Sequence, residues 1–150
     1  MDPRIAICLN SKDPIGAAAT FELKQDVAKA MIDELAGIAR KDYAADDAHL
    51  AEEYQLAAEQ ADAYQSTPGG TYPALQADVD AGTIDPRTAN AVTTIAEAAD
   101  LVIFMRATMN AALEAIRTTR LTAKAAVKTA ADENAIRDVL ANLSWPDPGA

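Results

Sequence analysis

Cysteine and histidine are almost missing from this 150-residue chain, which has one of each, Cys8 and His49. A lone cysteine excludes an internal disulfide framework and any zinc cage built on thiolates. Aromatic residues are 5% of the chain, and much of the 50% that is hydrophobic is alanine. Alanine has one methyl to remove from water, whereas a buried Leu or Phe contributes about 1.5–3 kcal/mol. Burial per residue is therefore expected to be thin, a deficit met by close helix approach and by surface recruited from a partner. Long apolar runs are missing as well. The densest, Leu101–Met105, is five residues where a membrane span needs about 20. Met1-Asp2-Pro3-Arg4 and the short Ile5–Leu9 run lack the basic start and the length of a secretory signal. A soluble protein made in the cytoplasm is the expectation. Positive charge is scarce: 13 Lys/Arg stand against 23 Asp/Glu, a net charge of −10. Residues 1–80 hold 6 Lys/Arg against 15 Asp/Glu, and residues 81–150 hold 7 against 8. So acidic a first half argues against nonspecific nucleic acid or anionic membrane as a partner, since both need clustered positive charge.

Glycine and proline are few, 6 and 7, and their spacing divides the chain. After Pro86 none occurs until beyond Ala131. That interval keeps a helical period: Val92, Ile95, Ala99, Val102, Arg106, Met109, Leu113, Ile116, Arg120, Ala123, Val127 and Ala130 step by three and four, a heptad-like seam. One helix over about 86–131 would span about 67 Å, against about 38 Å across a compact ball of this size, so an elongated chain or one leaning on a partner is expected. Leu101–Met105, apolar on nearly every side, should be its most enclosed part. Arg106 and Arg120 fall on the seam, which favours a mixed bundle over a strict coiled coil.

Upstream, Thr20 can cap a helix with apolar positions Phe21, Val27, Met31, Leu35 and Ile38. A second stripe, Leu50, Tyr54, Ala57, Ala61 and Tyr64, follows a possible break at Lys41-Asp42 and Asp46-Asp47 and stops at Ser66-Thr67-Pro68-Gly69-Gly70. A short helix is predicted between Pro73 and Gly82, with Asp85-Pro86 then opening the long one as N-cap and first residue. Segments 20–65 and 86–131 are equal in extent and would pack antiparallel across the turn-rich 66–85. Asp132 or a neighbour caps a last helix with Ile136, Val139, Leu140 and Leu143. Trp145 is read as an anchor folded back onto the bundle, and 146–150 as a tail. At the other end Ile5, Ile7 and Leu9 alternate with polar or small residues, the period of a short half-buried strand. Without a partner strand in the chain, residues 1–19 read as an extended arm that lies in a groove of its own bundle, adds to a neighbour, or stays loosely ordered.

The fold class predicted is thus all-α: an elongated antiparallel helical hairpin or bundle with a very long helix, a short C-terminal helix and an extended N-terminal arm, divided as 1–19, 20–145 and 146–150.

Candidate chemistry is sparse. Asp46-x-x-His49 and His49-x-x-x-Glu53 place carboxylates and imidazole on one helix face. A ferritin-like metal bundle needs two Glu-x-x-His pairs and two further carboxylates, so with one histidine the stretch reads as a solvated acidic helix start. Arg117, Arg120, Lys124 and Lys128 share a helix face, joined by Arg106. As a phosphate or nucleic-acid stripe it lacks interleaved aromatics for base stacking. As a charged contact it faces Asp47, Glu52, Glu59 and Asp62 or an acidic patch on another subunit. There is no G-x-S-x-G elbow and no P-loop, and Tyr43, Tyr54, Tyr64 and Tyr72 read as core or interface pieces. No catalytic, cofactor or metal residue is expected. The candidate interface residues are Ile5, Ile7, Leu9, Arg106, Arg117, Arg120, Lys124, Lys128 and Trp145.

Glu53-Tyr54-Gln55-Leu56-Ala57, Ala63-Tyr64, Tyr72-Pro73-Ala74-Leu75-Gln76-Ala77 and Ala115-Ile116-Arg117-Thr118-Thr119-Arg120-Leu121-Thr122-Ala123-Lys124 together resemble a set of small Ala-rich helical proteins encoded among bacteriophage tail and virion genes. The resemblance covers about half of the chain, leaves out the N-terminal arm and Trp145-Pro146, and carries over no functional residue. It implies a structural or accessory component of a phage particle, located in the virion, a homo-oligomer among other virion proteins and without catalysis. A soluble assembly factor or chaperone that binds transiently, and a metal-binding helical bundle, are the alternative readings.

Overall fold

The computed structural model describes residues 1–43 and 48–147. Among these the order is α1 (Pro3–Leu9), α2 (Pro14–Ala17), α3 (Phe21–Lys41), α4 (Ala48–Ser66), α5 (Pro73–Ala81), β1 (Ile84–Asp85), β2 (Asn90–Ala91), α6 (Ile95–Lys128) and α7 (Glu133–Ala141). The chain is mostly helical, with one small antiparallel pair, Ile84 opposite Ala91 and Asp85 opposite Asn90. It forms two compact units: Met1–Tyr43 with the chain from Ala112 onward, and the described residues from 48 to Ala111. The expected division into an arm and one bundle is therefore not the one that the contacts draw.

The first correction concerns the N-terminus. Residues 3–9 are helix, not an extended strand. Asp2 caps the helix, its carboxylate accepting from the Arg4 N–H at 2.9 Å, and Pro3 opens it. A capped start with proline in the first turn fits a helix, and it overrides the period of two in Ile5, Ile7 and Leu9. The buried stripe becomes Ile5, Cys8 and Leu9, spaced three and one as a helix face requires. Cys8 is 4% exposed, Ile5 and Leu9 pack on the core, and Ile7 is left outside at 72%.

That helix belongs to the core of the first unit. Cys8, Ile15 and Ala18 join Leu23, Val27, Ala28 and Ile32 of α3, Ala123 and Val127 of α6 and Ile136 of α7 in one buried cluster. Val27, Ile32, Val127 and Ile136 are wholly buried, each contributing about 1.5–3 kcal/mol. Thr20 caps α3 and Asp132 caps α7, as their sequences indicate. Farther along α3, Ala36 and Ala39 meet Ile116, with Tyr43 and Trp145 packed against them. Trp145 is thus folded onto its own unit.

In the second unit Ala61, Leu75, Val92, Ala98, Ala99 and Leu101 form the core, flanked by Tyr64, Tyr72, Val79 and Ile95. Three of those six are alanines, the thin burial that the composition suggests. α5 begins at Pro73 and ends on Gly82, whose φ of 64° lies in the left-handed region that glycine enters without strain.

The second correction concerns the start of the long helix, Ile95 rather than residue 86. Asp85-Pro86 does nucleate a turn, the Asp85 carbonyl accepting from the N–H groups of Thr88 (3.2 Å) and Ala89 (2.8 Å). Ala89 then takes φ 60°, which ends right-handed winding, and the chain turns back as β2, with the Val92 N–H donating to the Thr83 carbonyl at 2.8 Å. The effective start signal is Thr94-x-x-Glu97, a capping-box sequence whose glutamate reaches one residue past the cap, to Thr93. Thr94 Oγ1 accepts from the Glu97 N–H at 3.1 Å, and the Glu97 carboxylate accepts from the Thr93 N–H at 2.7 Å. Within α6, Leu101 is buried and Val102 to Phe104 are half-buried, but Met105 is 53% exposed. The stretch expected to be enclosed all round is covered on one side. Asp46, Asp47 and the end of the tail, 148–150, lie outside the described residues.

Candidate functional site

The cations of α6 divide by unit. In the second unit Arg106 grips Asp62 with both terminal nitrogens, at 2.8 and 2.7 Å. Two parallel charge-assisted bonds of this kind fix geometry as well as charge. Asp62 is held below its usual carboxylate range by that hydrogen bond, and Arg106 is raised by the same pair. This is the contact that the charge pattern predicts for Arg106.

In the first unit Arg120 Nη1 (3.1 Å) and Lys124 Nζ (2.6 Å) both donate to Asp33 of α3. Partial burial raises the Asp33 carboxyl, and the bonds from Lys124 and Arg120 outweigh it, so the group titrates below its usual value. Asp33 was not among the expected acidic partners; Asp47 lies outside the described residues, and Glu52 and Glu59 hold no α6 cation. One carboxylate for two cations leaves a surplus positive charge, and Arg120 Nε is buried without a hydrogen-bond partner. Arg117 and Lys128 are exposed and, among the described residues, make no ion pair.

Two further clusters act as fasteners. Asp13 caps α2 through the Gly16 N–H and accepts both terminal nitrogens of Arg137 of α7, at 3.1 and 2.9 Å. Lys24 of α3 reaches the Ile15 carbonyl and Glu133, each at 2.9 Å. In the other unit the Asp85 carboxylate, 8% exposed as a residue, takes the Arg87 N–H (2.9 Å), Nε (3.0 Å) and Nη2 (2.8 Å). Arg87 also reaches Asp100 at 3.0 Å and lies 4.5 Å over the Phe104 ring, a cation–π contact. These bonds tie the hairpin to α6 and hold the carboxylate in one orientation through three donors from a single arginine.

The remaining sequence candidates are dispersed. His49 is exposed, its Nδ1 3.8 Å from Glu52, and Asp46, the other half of that motif, is outside the described residues. Among the described residues no three His, Cys, Asp or Glu side chains are grouped to hold a metal, and no helix is long and apolar enough to cross a membrane. Tyr64 and Tyr72 meet edge to face at 5.7 Å, and the Tyr72 hydroxyl lies on the carbonyls of Ala63 and Thr67, so this pair closes the 66–72 loop. An open groove of about 610 Å³ runs between α6 and α7, bordered by Thr118, Thr119, Thr122, Asp138, Asn142 and Leu143.

Uncovered apolar side chains are the other feature of the surface. Ile7 of α1, Ile38 of α3 and Leu121 of α6 are each exposed in the first unit; Tyr54 and Leu56 of α4, Ile84 and Met105 are exposed in the second. No known protein family, characterised protein or solved structure matches the chain.

Proposed function

We propose that this chain is a structural or accessory subunit of a bacteriophage particle, in its tail or virion, acting through protein–protein assembly with copies of itself and other virion proteins and without catalysis. The observation that carries the assembly reading is the set of large apolar side chains left uncovered on helices that also supply residues to a core, with Ile7, Ile38, Leu56 and Met105 each more than half exposed. A thin alanine core buries few large side chains, and more burial is gained by covering these faces with another chain. The particle itself comes from the resemblance of the stretches 53–77 and 115–124.

Helix α1 supports the reading in an altered form. Ile5 and Leu9 serve the chain's own core, and Ile7 alone of that trio is presented outward. Arg106 and Trp145, expected at an interface, are engaged within their own units. The surface left for partners is therefore Ile7, the outer face of α3 around Ile38, the Arg117 to Lys128 face of α6, and α4. Quantitative mass spectrometry of purified particles tests the proposal. The chain should be present in stoichiometric amounts, and its confinement to the soluble lysate would refute it.

A further inference from the structure

We infer that the partner of the basic α6 face is a second copy of this chain, which docks the outer face of its α4 there. The inference rests on the assembly reading above and names one contact within it.

The two faces share a spacing. On α4, Glu52, Leu56, Glu59 and Ala63 step by four, three and four and so lie along one side of the helix. All four are exposed. On α6, Arg117, Leu121, Lys124 and Lys128 make the same steps, with Arg117, Leu121 and Lys128 exposed and Lys124 half-buried. Each helix thus presents one uncovered leucine at its second position, Leu56 at 51% and Leu121 at 41% exposure. Carboxylates flank the first leucine and cations flank the second. Because the charges sit on both sides of each leucine, the match holds whether the helices run parallel or antiparallel.

Each face keeps charge that the chain's own ion pairs do not neutralise, although Asp62 is held by Arg106 and Lys124 by Asp33. α4 carries Glu52, Glu53, Glu59 and Asp62 and neither Lys nor Arg. Among the described residues Glu52 pairs with the exposed His49 alone, at 3.8 Å, and Glu59 accepts from the neutral Gln55 at 3.1 Å. On the other helix Arg117 and Lys128 are unpaired among the described residues, and Arg120 and Lys124 divide a single carboxylate. Opposite fields of this sort steer two surfaces together, suppress like-with-like contacts and fix register. Leu121 would pack against Leu56 on the open face of α4 that Ala51, Glu52, Gln55 and Glu59 surround, and the two leucines supply the apolar centre that a charged rim needs. A contact between different patches on identical chains is heterologous, and it propagates or closes according to the rotation it imposes.

Charge exchange tests this. Glu52→Lys with Glu59→Lys, and separately Arg117→Glu with Lys128→Glu, place like charges across the contact. Each double variant should lose self-association by about tenfold or more in sedimentation velocity at low salt. Mixing the two variants, or combining all four changes in one chain, restores opposite charges and should restore association. Leu56→Asp should weaken it in every background. All of these side chains except that of Lys124, which is left unchanged, are exposed, and circular dichroism with a thermal melt verifies that each variant is folded. Association unchanged by the reversals, no restoration on mixing, or a wild-type chain that stays monomeric at low salt would each overturn this contact. The assembly reading fails separately, by absence of the chain from particles.

Discussion

Replacing Asp33 with asparagine removes the one carboxylate that Arg120 and Lys124 share, and the size of the effect follows from its surroundings. The Asp33 side chain is 44% exposed, with Arg120 at 28% and Lys124 at 29%, so solvent screens the pair and each ion pair is worth about 0.2–1 kcal/mol. With the carboxylate gone, two like charges four residues apart on α6 repel by about 0.2–0.5 kcal/mol. The expected loss is about 1–2 kcal/mol, a melting temperature lower by about 2–8 °C for a chain of this length. Thermal unfolding followed by far-UV circular dichroism measures it. The difference should shrink at about 1 M salt, where the screening length falls to about 3 Å, and Lys124→Met in the Asp33→Asn background should recover part of it by relieving the repulsion. An Asp33→Asn chain as stable as wild type at low salt would refute this account of the cluster.

Stability should also fall on acidification, beginning at about pH 4 and not before. Asp13, Asp62 and Asp85 are held low by Arg137, Arg106 and Arg87, and Asp33 by Lys124 and Arg120 against its burial. A depressed folded-state pKa contributes stability that is complete above the unfolded value and is lost as pH drops through the folded one; a steep loss between pH 7 and 5 would contradict this. Ala89→Gly should stabilise the hairpin by less than about 1 kcal/mol, because φ 60° costs alanine and not glycine, and a lower midpoint in urea would argue against it. Leu75→Ala, at a wholly buried site of the second unit, should cost about 2–5 kcal/mol and raise hydrogen exchange first in residues 48–111; equal loosening of α3 and α7 would contradict the division into units. Deleting residues 1–19 removes Cys8, Ile15 and Ala18 from the first core, so loss of the cooperative melt is expected, and an unaltered melt would show that α1 and α2 are dispensable.

Much of the helical plan is legible because its boundaries are set by single residues. Thr20, Asp132, Pro73 and Gly82 each do locally what a cap or stop requires. The pairing of helices was less legible. In the first unit Asp33 meets Arg120 and Lys124 while Gln25 meets the carbonyls of Val127 and Lys128, whereas in the second Arg106 meets Asp62. No single register of equal segments folded about 66–85 gives both, and the acidic residues of α4 stood out where Asp33 of α3 did not. The hairpin at 84–91 was hidden because Asp-Pro starts a turn as readily as a helix, and the outcome depends on left-handed backbone at an alanine, a residue that rarely takes it. For α1, three alternating apolar residues outweighed a cap and a proline that were equally visible. The surplus charge on α6 was readable from sequence, but which cations are satisfied at home is a matter of packing.

The mass of the native chain in solution bears most directly on the central claim that this protein works by assembly. Native mass spectrometry at low ionic strength over rising concentration should give multiples of the 15.8 kDa chain, with the larger species declining as salt is added. A single species at 15.8 kDa at every concentration and salt would contradict self-assembly.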